Sequence, residues 1–269
     1  MGETIAIVGA GMMGEALLAG LLRAGRSPST LIVAERRPDR AEELRHRYAV
    51  AVRDTLDAVA GADVILLVVK PGDVDAVLGE IRPRVPEGAL VVSLAAGITT
   101  TFLEHRLPRG TAVVRVMPNT PTLVGEGMAA ICSGSSCSPD QLAWVEELLR
   151  ATGRVISLPE YQLDAVTALS GSGPAYFFYV VEALVEAGVS VGLPRSVSTD
   201  LVVQTLYGAA TLLRETGTHP SILREQVTSP AGTTGAALRH LDERGVRAAF
   251  IAAVESATLR SKELSQGGV

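Results

Sequence analysis

The chain has 269 residues, 47% apolar and 20% charged, with Lys+Arg 24 against Asp+Glu 29 and a net charge of −5. That balance belongs to a folded chain with a sizeable core, in one large or two modest domains, and it excludes a disordered scaffold. The acidic sum gives the chain no electrostatic pull toward nucleic acid or anionic membrane, so neither is expected as a partner.

Five short, continuously apolar runs, at 4–8, 31–34, 64–69, 90–94 and 113–117, read as strands buried on both faces. Helical patterns at 12–24, 38–47, 73–82 and 99–106 separate them. Such alternation implies βαβ units and a Rossmann-like, doubly wound parallel sheet of the α/β class. Two further β-like runs, 128–132 and 154–158, flank a helical stretch at 139–152. After Pro159 the strand-length runs stop. Phe177, Val180, Val181 and Leu184 recur at helical spacing, and Val197, Leu201, Thr205, Ala209 and Leu212 trace a second helical face. A closing helix is expected over 246–264. The expected plan is a dinucleotide-binding α/β domain over 1–159 and an all-α domain over 160–269. The helical half is rich in small residues, and pairing with a second copy would bury surface that it cannot cover alone.

Two cysteines, Cys132 and Cys137, cannot form a disulfide framework and suit a reducing compartment. The four histidines, His46, His105, His219 and His240, have no metal-ligand spacing, so no metal site is expected. The start of the chain lacks the basic segment and cleavage site of a signal peptide. The 64–69 run is too short to span a bilayer. A cytoplasmic protein is expected. Lysine is scarce: only Lys70 and Lys262 occur.

Gly9-Ala10-Gly11-Met12-Met13-Gly14 matches the GxGxxG pattern, and here it follows a strand and opens a helix, the context a dinucleotide fingerprint requires. The helix N-terminus offers free N–H groups and partial positive charge to phosphates. The second strand ends in Glu35-Arg36-Arg37. Glu35 sits where an acid accepts from the ribose hydroxyls of NAD. Arg36 and Arg37 hold a 2′-phosphate, or Arg36 stacks on adenine, or the pair solvates a helix start. NADPH and NADH therefore both stay open.

Three more strand ends carry chemistry. Val69-Lys70-Pro71 places one of the two lysines at a proline-fixed turn, as a solvated strand end or a cofactor contact. Ser93 to Gly97 is a run of small residues against which a ring can lie. Arg115 to Pro121 braces Asn119 between prolines, either for the nicotinamide carboxamide or for turn chemistry alone. In the helical half, Ser170 to Tyr176 suits a helix start. Thr228 to Gly235 offers backbone N–H groups and several hydroxyls, as a capped turn or a small-carboxylate site.

With these segments the chain resembles pyrroline-5-carboxylate reductases nearly end to end. The likeness rests on the glycine-rich start, Val69-Lys70-Pro71, Ala95-Ala96-Gly97, Arg115 to Pro121, Leu169 to Tyr176, and above all Val227 to Leu241. The resemblance implies reduction of 1-pyrroline-5-carboxylate to L-proline, with NADPH as cofactor and NADH as the second candidate. It implies a cofactor site lined by Gly9 to Gly14, Arg36, Thr55, Val68, Val69, Lys70, Pro71, Leu94, Ala95 and Ala96. It also implies a Ser229–Thr234 loop, with Ser229, Gly232, Thr233 and Thr234, that holds the substrate carboxylate, and a Thr234 hydroxyl near the ring nitrogen as the catalytic group. A homodimer, in some members a ring of dimers, is implied as well. Glu35 before Arg36, and Ala231 and Thr233 in the signature loop, depart from the commonest family pattern. Two rivals are a β-hydroxyacid dehydrogenase, whose helical-domain lysine has only Lys262 to match it here, and a non-catalytic NAD(P)-binding protein.

Overall fold

The computed structural model describes residues 3–266. The chain opens β1 (Ile5–Val8), α1 (Met12–Arg23), β2 (Leu31–Ala34), α2 (Pro38–Tyr48), β3 (Ala51–Arg53), α3 (Thr55–Val59), β4 (Val64–Leu67) and α4 (Val74–Ile81). It continues β5 (Leu90–Ser93), α5 (Thr100–Arg106), β6 (Ala112–Met117), β7 (Gly127–Ser133), α6 (Pro139–Leu149), β8 (Gly153–Ser157) and α7 (Leu163–Val166). The helices α8 (Gly173–Ser190), α9 (Arg195–Thr216), α10 (Pro220–Gln226), α11 (Thr233–Glu243) and α12 (Val246–Gln266) follow.

All eight strands form one sheet in the order β3-β2-β1-β4-β5-β6-β7-β8. The first six are parallel, β7 turns antiparallel to β6, and β8 runs parallel with β7. In register, Ile7 of β1 lies between Val33 of β2 and Leu66 of β4. β1, β2, β4 and β5 are buried on both faces, which is why they read as unbroken apolar runs. One core layer holds Leu17, Leu18 and Leu21 of α1 with Leu44 of α2 and Val145 of α6. The other holds Ala58 and Val59 of α3, Val74, Leu78 and Ile81 of α4, and Leu103 of α5. Each fully buried leucine contributes about 1.5–3 kcal/mol, so the six-stranded parallel part is the rigid platform.

Several differences from the sequence expectation have physical causes. β4 stops at Leu67 rather than 69, and Val68 N–H makes a last link to the neighbouring strand by donating to the Val8 carbonyl at 2.8 Å. The helix expected to 152 ends at Leu149 and tightens into a 3₁₀ turn over Arg150–Thr152. Its start is fixed by a capping box between Ser138 and Gln141. β3 and α3 answer to no apolar run or helical stripe in the sequence.

The chain forms two compact units, dividing at Ser172/Gly173, past the expected 159/160, with the residues from Ala257 onward belonging to the first unit. Residues 160–172 stay with the first unit because Leu163 and Ala168 are fully buried and Glu160 accepts from the Thr100 backbone at 2.8 Å. Asp164 also accepts from Ser261 of α12 at 2.7 Å. In the second unit, buried Ser198 of α9 donates to the Val185 carbonyl of α8 at 2.9 Å. The close approach needs Gly188, where an added Cβ would collide with the Ser198 hydroxyl. Between these helices runs an apolar groove of about 330 Å³, lined by residues that include Val180, Leu184, Leu201 and Leu206. Phe177, Phe178, Tyr179 and Leu201 are all more than half exposed.

Candidate active site

The GxGxxG segment lies at the carboxyl end of β1, where ligands bind in open α/β sheets. Gly9 has φ +107, and an added Cβ would strike the Val68 carbonyl. At Gly14 the same addition would strike the Gly9 carbonyl, so that glycine lets α1 pack on β1. Gly11 behaves differently: nothing lies within 4 Å of its would-be Cβ, so the backbone opens onto free space there. Gly11 caps α1 without a side-chain hydrogen bond, and the first helical bond runs from Glu15 N–H to Gly11 at 2.9 Å. The N–H groups of Met12, Met13 and Gly14 thus lack an acceptor among the described residues. Two closed glycines, one open one and a bare helix N-terminus fit a dinucleotide pyrophosphate. Ala10 is buried, Met13 packs on the core and Met12 is exposed.

The other expected cofactor residues line the carboxyl ends of successive strands. Thr55 is buried at the first turn of α3, after β3, and Asp54 caps that helix by accepting from Asp57 N–H at 2.9 Å. Val68, Val69, Lys70 and Pro71 follow β4, with the Lys70 side chain exposed. Leu94 and Ala95 are buried after β5, and Leu94 N–H donates to the Leu67 carbonyl at 2.9 Å. Ala96 is exposed. Glu35, following β2, accepts from Arg37 N–H at 2.9 Å and pairs with its Nε at 3.4 Å. Arg36 pairs instead with Glu80 of α4, a partner 44 residues away that no local pattern signals.

Asn119 has a structural task. Its Oδ1 accepts from Met128 N–H at 2.8 Å, and its Nδ2 donates to the Ser170 carbonyl at 3.2 Å. The amide therefore braces the turn after β6 against the π-helical turn Thr167–Gly171. Of the two readings of Asn119, turn chemistry is the one these bonds carry. Arg115, buried in β6, pairs with Glu160 at 3.1 Å, and its Nη2 has no hydrogen-bond partner among the described residues. Glu160 also accepts from the Thr100 hydroxyl at 2.6 Å. Cys132 faces Arg115 in the β6–β7 register. Burial and then the Glu160 carboxylate push its thiol up to about 12, so it stays protonated and unreactive at neutral pH.

In the second unit, the Thr228–Gly235 segment ends at the N-terminus of α11. Gly232 caps this helix without a side-chain bond, and its own N–H donates to the Ser229 carbonyl at 3.0 Å. The first helical bond is Ala236 N–H to Gly232 at 3.3 Å. Thr233, Thr234 and Gly235 therefore present N–H groups without an acceptor among the described residues. Three converging donors at a helix N-terminus suit one carboxylate. Gly235 joins this set unexpectedly, while the amide of Gly232 is spent on the turn. Ser229 and Thr233 are exposed, and Thr234 is half-buried. Ala231 has φ +57, the left-handed region in which a non-glycine residue is strained.

Among the described residues no group of three His, Cys, Asp or Glu side chains gathers to hold a metal ion. No helix among them is long and apolar enough to cross a membrane.

Two family models match the chain. Residues 160–264 match pyrroline-5-carboxylate reductase dimerisation, and residues 4–97 match NADP oxidoreductase coenzyme F420-dependent. A pyrroline-5-carboxylate reductase of Mycobacterium tuberculosis is 48% identical over 97% of this chain and 96% of that protein. The solved structure of a pyrroline-5-carboxylate reductase from Coxiella burnetii superposes with a TM-score of 0.94 at 36% identity, covering 99% of this chain and 100% of that one. That of the Plasmodium falciparum pyrroline carboxylate reductase, solved with NADP bound, gives 0.88 at 28% identity over 98% of each chain.

Proposed function

The chain belongs to the pyrroline-5-carboxylate reductase family, and we propose that it reduces 1-pyrroline-5-carboxylate to L-proline with a nicotinamide dinucleotide, the last step of proline biosynthesis. Full-length identity to reductases of this activity is the observation that carries the reading, and it favours neither a β-hydroxyacid dehydrogenase nor a non-catalytic binder. The reduced nicotinamide, when bound, supplies a hydride to the imine carbon. The remaining work falls to the chain. Residues 1–159 hold the cofactor: Gly9 to Gly14 cradle the pyrophosphate, Thr55, Val68 to Pro71 and Leu94 to Ala96 line the crevice, and Arg36 and Arg37 stand by the adenosine ribose. Asn119, the last of the cofactor-site candidates, acts through the turn that it braces after β6.

Residues 160–269 bind the substrate and dimerise. The N–H groups at the start of α11 hold the carboxylate, and Ser229 and Thr233 border it. The Thr234 hydroxyl orients the ring and relays the proton that the nitrogen gains. Because a protonated imine is already a good electrophile, positioning supplies most of the acceleration and no strong acid is needed. NADPH is the first cofactor to try and NADH the second: Arg36 offers charge to a 2′-phosphate, Glu35 an acceptor to a 2′-hydroxyl. The working form is a homodimer in the cytoplasm, with rings of dimers as a further stage of assembly. The test is to follow NADPH and NADH oxidation with pyrroline-5-carboxylate, and their formation with hydroxyacids. Turnover with pyrroline-5-carboxylate is expected, and its absence with both cofactors overturns the reading.

A further inference from the structure

Resting on the reading of this crevice as a nicotinamide-dinucleotide site, we infer that Glu80, on α4 and outside every motif of the chain, is a specificity-determining residue for the cofactor. Both guanidiniums that directly follow β2 are paired within the protein. Arg37 is taken by Glu35, through the backbone N–H at 2.9 Å and the guanidinium at 3.4 Å. Arg36 is taken by Glu80. These two carboxylates and two guanidiniums sum to zero, which leaves Arg53, opposite Ala34 in the β2–β3 register, as the further cation where a 2′-phosphate would bring close to two negative charges. A ribose hydroxyl needs no cation. It needs an acceptor, and no described group bonds the second carboxylate oxygen of Glu35. A 2′-phosphate must draw Arg36 away from Glu80 and then sit near a carboxylate that repels it.

The pair lies toward solvent, with 66% of the Arg36 side chain and 35% of the Glu80 side chain exposed. Exchange is therefore accessible and its effect moderate, of the size exposed ion pairs show. Glu80 sets the NADPH-to-NADH ratio by occupying Arg36; it touches neither the reacting atoms nor the nicotinamide half of the site. Removing its charge, with the side-chain shape kept, releases Arg36 to the phosphate.

The test is Glu80→Gln, read first by calorimetric binding of 2′,5′-ADP and of ADP, which requires no turnover. Affinity for 2′,5′-ADP rises about 1.5-fold to fivefold while that for ADP stays constant, a span that follows from releasing Arg36 from an ion pair of this exposure. The gain shrinks at high salt, as an exposed pair requires. In an Arg36→Gln background the same substitution has no effect. The ratio of kcat/KM for NADPH to that for NADH rises with the binding ratio. Equal changes for both ligands, no change, or an effect that survives Arg36→Gln overturns the inference. Loss of pyrroline-5-carboxylate turnover with both cofactors in the unaltered enzyme strikes the family activity instead, and leaves the binding ratio standing as a separate result.

Discussion

Thr234 and Ala231 sit three residues apart on one loop and do opposite things to the chain. Thr234, half-buried at the second position of α11, adds a hydroxyl beside the N–H donors proposed to hold the carboxylate. Under the proposed mechanism, removing it takes away proton handling and orientation while the donors stay. Thr234→Ala is expected to lower kcat/KM at least about tenfold, with cofactor affinity unchanged by calorimetry. Unaltered turnover would remove Thr234 from the mechanism. Ala231 holds φ +57 to turn the chain into that helix, a conformation that disfavours a Cβ by roughly 1–2 kcal/mol. Ala231→Gly relieves it and gives back part through the freer unfolded chain. The net gain is up to about 1 kcal/mol, visible as a rise in Tm of roughly 1–4 °C; a fall in Tm would mean that the alanine methyl makes a contact worth more than its strain. The glycines of the fingerprint are the residues whose roles the sequence spells out most fully, since spacing and context name the three tasks. Gly235 escaped because which N–H is free depends on where the turn spends its bonds, here on the Ser229 carbonyl.

Among elements, the four strands buried on both faces were legible to within a residue or two, because double burial forces an unbroken apolar run. β3 left no such mark: of Ala51, Val52 and Arg53 only Val52 is buried. α3 is five residues long, too short for a periodic stripe, so Thr55 came only through the family likeness. What joins elements was also hidden, since it runs between residues far apart in the chain. Glu15 of α1 is the clearest case. It accepts from the Tyr48 hydroxyl at 2.7 Å and from Arg47 at 2.9 Å, and pairs with Arg40, so it locks α1 to α2 just after the glycine-rich turn. Burial on its own would raise the carboxyl, but the Tyr48 hydroxyl and then the Arg40 and Arg47 guanidiniums hold it below its ordinary 4.5. A depressed folded-state pKa gives stability that is present above the unfolded value and is lost as pH falls through the folded one. Glu15→Gln is therefore expected to cost about 1–3 kcal/mol at pH 7, from hydrogen bonds to a charged group. In urea titrations the gap from the unaltered chain should hold down to about pH 5 and close below 4.5. A gap independent of pH down to 3 would mean that shape, not charge, makes this joint.

For the whole molecule, the decisive feature is what the second unit leaves uncovered. Its helices α8 and α9 join through one buried hydrogen bond and a small-residue seam, yet Phe177, Phe178, Tyr179, Leu184 and Leu201 remain half exposed or more. Apolar surface on this scale marks an interface, and the matching family model for residues 160–264 is a dimerisation model. A second copy, as proposed, would explain why a segment rich in small apolar residues folds with so little core of its own. Light scattering should then report two copies of the 28.0 kDa chain at micromolar concentration. Leu201→Arg places a charge in the apolar groove beside Leu184 and Leu206, and desolvating it unpaired opposes association by several kcal/mol. The expected species is the 28.0 kDa monomer. Its first unit, with an independent core of eight strands, should still bind 2′,5′-ADP. Pyrroline-5-carboxylate turnover should fall with the dimer if substrate binding depends on the paired helices. A variant that stays dimeric shows that this groove lies off the interface. One that becomes monomeric and keeps full turnover separates assembly from catalysis and confines the chemistry to a single chain.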